Sequence, residues 1–231
     1  NNLANGNGTM TYCNGDCFDG TWCDGKRKDG PGVMSYDNGN TYDGEWQSLR
    51  HHGVGFFDCV GHVKYTYHGE WISGVMQGKG IQDVLGPKGH TYNGQWAQDA
   101  RSGMGVLTDR STEDKFTGPF ADDDRRDGDG KMEHGNGDVF MGQFMKKQRH
   151  GLGFMTYYES GRSYNGDWVC DERHGEGLLT YKDQGTFKGP FSHNDCQSIG
   201  CRVFANENRW VGHVDVDGVP HGGGKMLFAD A

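Results

Sequence analysis

The sequence predicts an all-β protein, an elongated and rod-like solenoid built from a single-layer, twisted antiparallel β-sheet of about nine β-hairpin repeats. Only 33% of the 231 residues are hydrophobic and 41 are glycine, against a usual apolar share of roughly 45–50% in soluble domains. Aromatic residues nevertheless reach 12%, more than a disordered chain carries. This composition cannot fill a thick two-layer core, but it suits a thin sheet in which each unit buries a few large rings.

The first recurring motif is aromatic-x-Gly-x-aromatic, whose three named residues share one face of a strand. It begins with Phe18-Asp-Gly20-Thr-Trp22, and its central glycines recur 23 to 25 residues apart. Glycine in mid-strand costs stability, so its regular placement predicts that rings from a neighbouring repeat lie across it. The motif predicts first strands near 18–22, 42–46, 67–71, 92–96, 116–120, 140–144, 164–168, 187–191 and 210–214.

A second motif, Gly-x-Gly with an apolar or aromatic residue four positions on, predicts the second strand of each repeat. Gly30-Pro-Gly32 followed by Tyr36 is one example. Asn-Gly dipeptides such as Asn38-Gly39 lie between one repeat and the next, where they favour tight turns. Pro119 and Pro190 fall inside first strands and lack the N–H of a ladder hydrogen bond, so repeats five and eight are expected to be locally irregular.

The repeats run through the whole sequence and predict a single array over residues 1–231. The segment from Gly6-Asn-Gly8 to Tyr12 supplies a second half with no first half before it. We therefore expect a fragment of a longer array.

Together the two motifs closely resemble the MORN (membrane occupation and recognition nexus) repeat, whose pattern is Tyr-x-Gly-x-Trp, a short loop often ending in His-Gly, then Gly-x-Gly-x-x-x-Tyr. The His-Gly pairs here are His52-Gly53, His150-Gly151, His174-Gly175 and His221-Gly222. A chain made only of such repeats is similar to multi-MORN-repeat scaffold proteins of protozoan cytoskeletons. The resemblance implies a non-catalytic scaffold or adaptor with a cytoskeletal or cell-division role, located in the cytoplasm, on the cytoskeleton or at the cytoplasmic side of a membrane.

Charge and cysteine usage narrow the function classes. The formal net charge of −9 argues against nucleic acid, whose recognition needs a surplus of Lys and Arg on some face. Seven cysteines without a regular framework indicate reduced thiols in the cytosol. No nucleophile–base arrangement or phosphate-binding loop stands out, so the sequence does not predict an enzyme.

Rows of aromatic residues predict an apolar groove that binds a protein partner, the alternative being that the rings only pack on each other as core. The candidate groove residues are Tyr42, Trp46, Tyr67, Trp71, Tyr92 and Trp96. The degenerate ninth repeat predicts self-association, as a homodimer or higher assembly, through the C-terminal end. The candidate interface residues are Phe187, Phe191, Trp210 and Val214.

Two other functions stay open: a phospholipid-binding module with Lys146, Lys147 and Arg149 as the basic cluster, and an accessory domain of a larger enzyme. No cofactor is required. A further hypothesis is a zinc site, whose candidate ligands project from three loops along one edge of the array. The alternative is that these loop residues bind no metal. These are His150, Cys170, His174, His193 and Cys196. They lack compact Cys-x-x-Cys spacing, so the site is hypothesised to lie between two subunits.

Overall fold

The structure is a computed structural model and describes residues 3–125, 127–196, 199–215 and 219–229. Those residues form strands and turns, with no helix among them, and hence none that could span a bilayer. The chain divides into two compact units. Unit 1 consists of residues 1–113 and 120–124, and unit 2 of residues 114–119 and 125–231. The prediction of one array over 1–231 stays a prediction.

Each unit is built from antiparallel strands that pair with their neighbours in sequence. The strands of unit 1 are β1 (Gly6–Thr11), β2 (Cys17–Cys23), β3 (Lys26–Ser35), β4 (Thr41–Gln47), β5 (Arg50–Cys59), β6 (Tyr65–Ile72), β7 (Val75–Val84), β8 (His90–Ala97) and β9 (Ala100–Asp109). The remaining strands, mostly in unit 2, are β10 (Lys115–Ala121), β11 (Asp124–Arg125), β12 (Gly128–Glu133), β13 (Val139–Met145), β14 (Gln148–Tyr157), β15 (Arg162–Val169), β16 (Glu172–Thr180), β17 (Thr186–Ser192), β18 (Asp195–Cys196), β19 (Gly200–Val203), β20 (Arg209–Val214) and β21 (Pro220–Leu227).

The predicted first strands are confirmed, and so is the all-β antiparallel fold. All nine fall inside observed strands: β2, β4, β6, β8, β10, β13, β15, β17 and β20. The irregularity predicted for repeats five and eight is also confirmed. Their second strands are broken into β11 and β12, and into β18 and β19. Pro190 lies between the stretch of β17 that pairs with β19 and the stretch that pairs with β18.

The central glycines of both motifs form continuous rows across the sheet, each glycine facing the next on the neighbouring strand. In unit 1 the row is Gly8, Gly20, Gly32, Gly44, Gly55, Gly69, Gly80, Gly94 and Gly105. In unit 2 one row is Gly130, Gly142, Gly153, Gly166, Gly177 and Gly189. The two motifs of the sequence are therefore one structural feature seen on alternate strands.

The ring that lies across each glycine pair belongs mainly to the same repeat, which corrects the expectation of a ring from the neighbour. A Cβ added to Gly55 would approach the Tyr42 hydroxyl oxygen to 2.3 Å, and one added to Gly44 would come within 2.7 Å of it. That hydroxyl donates hydrogen bonds to the carbonyl oxygens of Glu45 (3.0 Å) and His52 (3.2 Å). The tyrosine thus lies over backbone and ties its own two strands together.

The second ring of each motif connects successive repeats. The Trp46 indole N–H donates to the carbonyl oxygen of Gly32 in the preceding repeat at 2.8 Å. The same indole meets Phe18 edge-on, with ring centroids 5.6 Å apart. In unit 2, Trp168 repeats both contacts, with the carbonyl of Gly153 (3.2 Å) and the ring of Phe140 (5.2 Å). Each such ring pair adds about 0.5–1.5 kcal/mol beyond area burial.

The His-Gly pairs lie inside second strands, so their predicted position at a loop end is wrong. His52 and Gly53 belong to β5, where the pairing with β4 shifts register between Gly44 and Glu45. The bulge glycine has a left-handed φ of 56°, a conformation that favours glycine. In the equivalent bulge between β6 and β7, the polar residue before the second ring acts as a cap: the main-chain N–H of Lys79 donates to the Glu70 carboxylate at 3.0 Å.

We predict that Gly80→Ala destabilises the protein by about 2–3 kcal/mol, because the new methyl group would meet the Tyr67 hydroxyl oxygen at 2.3 Å and the packed ring cannot move away. Urea unfolding followed by tryptophan fluorescence measures the change. Gly61→Ala is the matched control, since its nearest neighbour would be the Cys59 sulfur at 3.7 Å. Equal free energies of unfolding for the two variants would contradict the role assigned to the glycine row.

Candidate partner-binding face

In each unit, the face that carries the rings has a second row of side chains, which we call the cross-strand row. Each member lies five residues after the second ring of its repeat, and in repeats one to four and six to eight the two residues pair directly across the hairpin. Its members in unit 1 are Arg27, His51, Met76 and Arg101, and in unit 2 they are Arg125, Arg149, Arg173 and Cys196. Five of the eight are arginine, and of these only Arg149 was predicted from the sequence, as part of the phospholipid cluster. The constant five-residue spacing is the signal that could have found them.

Arg149 shows how these arginines are held. Its guanidinium carbon lies 4.5 Å from the ring centroid of Trp168 and 5.8 Å from that of Phe140. Its Nε donates to the Asp171 carboxylate at 3.0 Å, and its Nη2 donates to the carbonyl oxygen of the same aspartate at 2.8 Å. The cation is thereby fixed over two rings by a residue from the turn of the next repeat.

Arg101 has the same two contacts, and Arg173 has the one to the main-chain carbonyl. In unit 1, Arg101 donates through Nε to the Asp123 carboxylate (3.2 Å) and through Nη2 to the Asp123 carbonyl (2.6 Å). In unit 2, Arg173 donates through Nη2 to the carbonyl of Asn194 at 2.5 Å. Asp123, Asp171 and Asn194 are each the second residue of a two-residue turn, with φ between 66° and 71°.

Open pockets lie between the members of the row. In unit 2 one pocket of about 360 Å³ is lined by Arg149, Tyr157, Arg162, Trp168 and Arg173, among others. A second, of about 400 Å³, shares Arg149 and Asp171 with it. Arginine and aromatic side chains both line these pockets, a surface that suits carboxylates flanked by apolar groups.

His51 takes the cross-strand position in repeat two. Its ring stacks on Tyr42 at 3.7 Å between centroids and 10° between planes. Its Nε2 lies 2.9 Å from the Tyr36 hydroxyl oxygen. Burial, together with the smaller effect of the nearby Arg27 cation, lowers the pKa of His51 from 6.5 to about 4. The imidazole is therefore neutral at pH 7.

The six rings predicted to line an open groove are buried instead. Relative exposure is 0% for Tyr42, Tyr67 and Tyr92, and 3–6% for the tryptophans Trp46, Trp71 and Trp96. They are core residues, because the cross-strand row and the next repeat's ring cover them. What a partner can reach on this face is the cross-strand row and the pockets beside it.

The basic cluster predicted for phospholipid is divided by the fold. Lys146 and Lys147 form the two-residue turn after β13, with φ of 50° and 68°, and are exposed. Arg149 lies inward, engaged with Asp171 and Trp168. Only the turn lysines are thus presented for a lipid surface.

The four residues predicted for a dimer interface are mostly buried within the chain. Phe187, Phe191 and Val214 are 0–3% exposed. Trp210 is half-buried and donates its indole N–H to the carbonyl of His213 at 3.0 Å. The exposed apolar groups of the C-terminal repeats are others, among them Leu227 at 41% and Phe228 at 76%.

The predicted metal ligands do not converge within one chain. His150, His174 and Cys196 lie in strands, whereas Cys170 and His193 each open a two-residue turn. The rings of His174 and His193 are 6.3 Å apart, and burial raises the pKa of the Cys196 thiol to about 11. Across the described residues no group of three or more His, Cys, Asp or Glu side chains is placed to hold a metal. Zinc between subunits stays a prediction.

We predict that His51→Met, which copies Met76 of the next repeat, makes the protein less sensitive to acid. The unfolded imidazole takes up a proton near pH 6.5 and the folded one near pH 4, so its stabilisation is complete above pH 6.5 and lost as the pH falls towards 4. We expect the wild type to lose about 1–2 kcal/mol more than the variant between pH 7 and 4.5, after allowing for solvent screening. Urea unfolding at both pH values measures this, and parallel losses would contradict it.

Comparison with known families shows which family shares these repeats. The MORN repeat model matches residues 1–17, 18–41, 67–83, 92–111, 140–162 and 164–186, which amount to more than half of the chain. No curated protein matches. Among solved structures, the SAS-4 (dCPAP) TCP domain in complex with a proline-rich motif of Ana2 (dSTIL) of Drosophila melanogaster is similar, with a TM-score of 0.38 and 12% identity over 90% of this chain and 89% of that one. That likeness is too low to support a functional inference. On the evidence of its six matched repeats and their shared ring-and-glycine geometry, the chain belongs to the MORN-repeat family.

Proposed function

We propose that this chain is a non-catalytic scaffold that binds acidic segments of protein partners along its cross-strand row and self-associates through its C-terminal repeats. The observation that carries the proposal is the row of ring-stacked arginines, with pockets between them, in a chain whose net charge is −9. The family is one of non-catalytic repeat modules for protein or membrane interaction, which supports the same class. A cytoskeletal or cell-division setting in the cytoplasm fits such a scaffold.

The arginines suit recognition because they are already ordered. Stacking on aromatic rings and bonding to the next turn hold the guanidinium groups of Arg101 and Arg149 in place. A partner that contacts it does not have to immobilise a long, flexible side chain, so less conformational entropy is lost on binding. Apolar pocket walls beside each cation provide area for neighbouring apolar side chains of the partner.

The acidic preference is testable with synthetic peptides. We expect the labelled chain to bind an array of peptides rich in Asp and aromatic residues at least tenfold more strongly than copies in which each Asp is Asn, and to lose the difference above about 0.5 M salt. Copies with Lys in place of Asp should not bind. Equal binding of the Asp and Asn sets would overturn the proposal.

Vesicles distinguish the phospholipid alternative. The exposed Lys146-Lys147 turn favours an anionic surface. Pelleting of the chain with phosphatidylserine-containing vesicles, lost in Lys146→Glu/Lys147→Glu and absent with phosphatidylcholine alone, would favour that function. A chain that stays in the supernatant at physiological salt supports the scaffold.

Self-association is predicted to depend on the exposed apolar end of the chain. Phe228→Ser should convert dimers to monomers, because a side chain that is 76% exposed contributes little to folding yet offers a large ring to a partner. Light scattering after size-exclusion chromatography measures the mass. Leu152→Ser, at 64% exposure in the same unit, is the control. A monomeric wild type, or a dimer that survives Phe228→Ser, would contradict this role.

A further inference from the structure

Arg27 differs from Arg101 and Arg149 because neither its Nε nor its Nη2 donates to an acceptor among the residues that the structure describes. Its guanidinium carbon lies 3.9 Å from the ring centroid of Phe18 and 4.1 Å from that of Trp46. Its Nε and Nη2 atoms are buried there without a partner. A guanidinium taken out of water with unpaired donors is unfavourable, and stacking on two rings offsets this only in part.

The two unpaired nitrogens are the two that bind aspartate elsewhere. In Arg101 and Arg149, Nε donates to the carboxylate of an aspartate and Nη2 to the carbonyl oxygen of the same residue. The guanidinium thus binds a single aspartate through two hydrogen bonds, one to each of two acceptors on that residue. Repeat one keeps the arginine and the rings but lacks the aspartate.

The reason lies in the turn of the next repeat. Where Asp123 and Asp171 stand as second turn residues, repeat two has Leu49, with φ of 65° and 65% exposure. The turn is also held differently, because the Ser48 N–H donates to the Asp29 carboxylate at 2.9 Å. The chain therefore supplies no acceptor to Arg27 from this turn.

A pocket opens beside the unpaired arginine. It has a volume of about 410 Å³, and Met10, Tyr12, Trp22 and Leu49 form apolar parts of its wall. Its charged members are Lys26, Arg27 and Asp29. Because Asp29 adds one negative charge, the pocket disfavours a dianionic phosphate and suits a single carboxylate next to an apolar side chain.

We propose that Arg27 is a receptor for one aspartate of a protein partner, seated in this pocket. The carboxylate of the partner's aspartate accepts a hydrogen bond from Nε, and its main-chain carbonyl accepts one from Nη2, as in the pair of Asp171 and Arg149. The guanidinium turns out from between Phe18 and Trp46 to reach them, and the unpaired donors gain partners. This inference rests on the proposed function, since it names one anchor point of the partner on the cross-strand row.

The chain itself provides a probe. A backbone-cyclised peptide with the sequence of residues 167–174, with Ser at the position of Cys170, carries the turn that Arg149 recognises. We expect the full chain to bind it, in calorimetric titration, at least tenfold more tightly than the same peptide with Ala at the position of Asp171. Arg27→Met should lose this binding and keep its fold, because Met76 occupies the same position in repeat three. Arg27→Lys, which keeps charge without the fork, should also lose it.

Arg209→Met is the matched control and should retain the affinity, since that arginine is exposed and lies outside the cross-strand row. Unchanged binding by Arg27→Met, equal binding of the two peptides, or no binding by the wild type would each overturn the assignment. A wild type that fails on this peptide but still selects acidic peptides on the array would leave the proposed function standing. Failure on both would remove it as well.

Discussion

Each repeat depends on an aromatic ring that lies flat over two facing glycines. With any larger residue at Gly44 or Gly55, the Tyr42 ring could not lie against the backbone, and its hydroxyl could not reach the carbonyls of Glu45 and His52. A single-layer sheet has no second layer to cover its apolar face. The rings cover this face by packing directly on the backbone of the glycines, so the main chain itself forms one wall of the core. The high glycine content is thus a packing requirement.

The bulge and its cap follow from the same constraint. Beyond the glycine pair the second strand needs extra length to bring its cross-strand residue opposite the second ring, and a left-handed glycine such as Gly175 provides it. The bulge leaves main-chain donors unpaired, and Asp167 accepts one of them from Glu176 at 3.0 Å. Repeats five and eight carry Pro119 and Pro190 where this capping residue stands, which accounts for their broken second strands.

The sequence was sufficient to predict strands and repeats because ring and glycine spacing encodes them directly. It did not show that Tyr67 or Trp96 would be buried, since burial comes from the next repeat and the cross-strand row, both distant in sequence. Turns such as Lys146-Lys147 were missed for a related reason. Neither residue favours a positive φ, and the hairpin imposes it. Four of the five arginines were not predicted, because an isolated cation in the sequence resembles a solvated surface residue until the rings beneath it are known.

Net charge proved a weak guide to the partner because it averages over faces. The chain carries −9 overall, yet arginines occupy most of its cross-strand positions, stacked on rings and aligned one per repeat. The ring-and-glycine core constrains everything around these positions but tolerates Arg, His, Met or Cys at them. Variation there changes binding without changing the fold. An array can therefore alter what it recognises repeat by repeat, by changing one residue opposite each second ring and the turn residue that faces it.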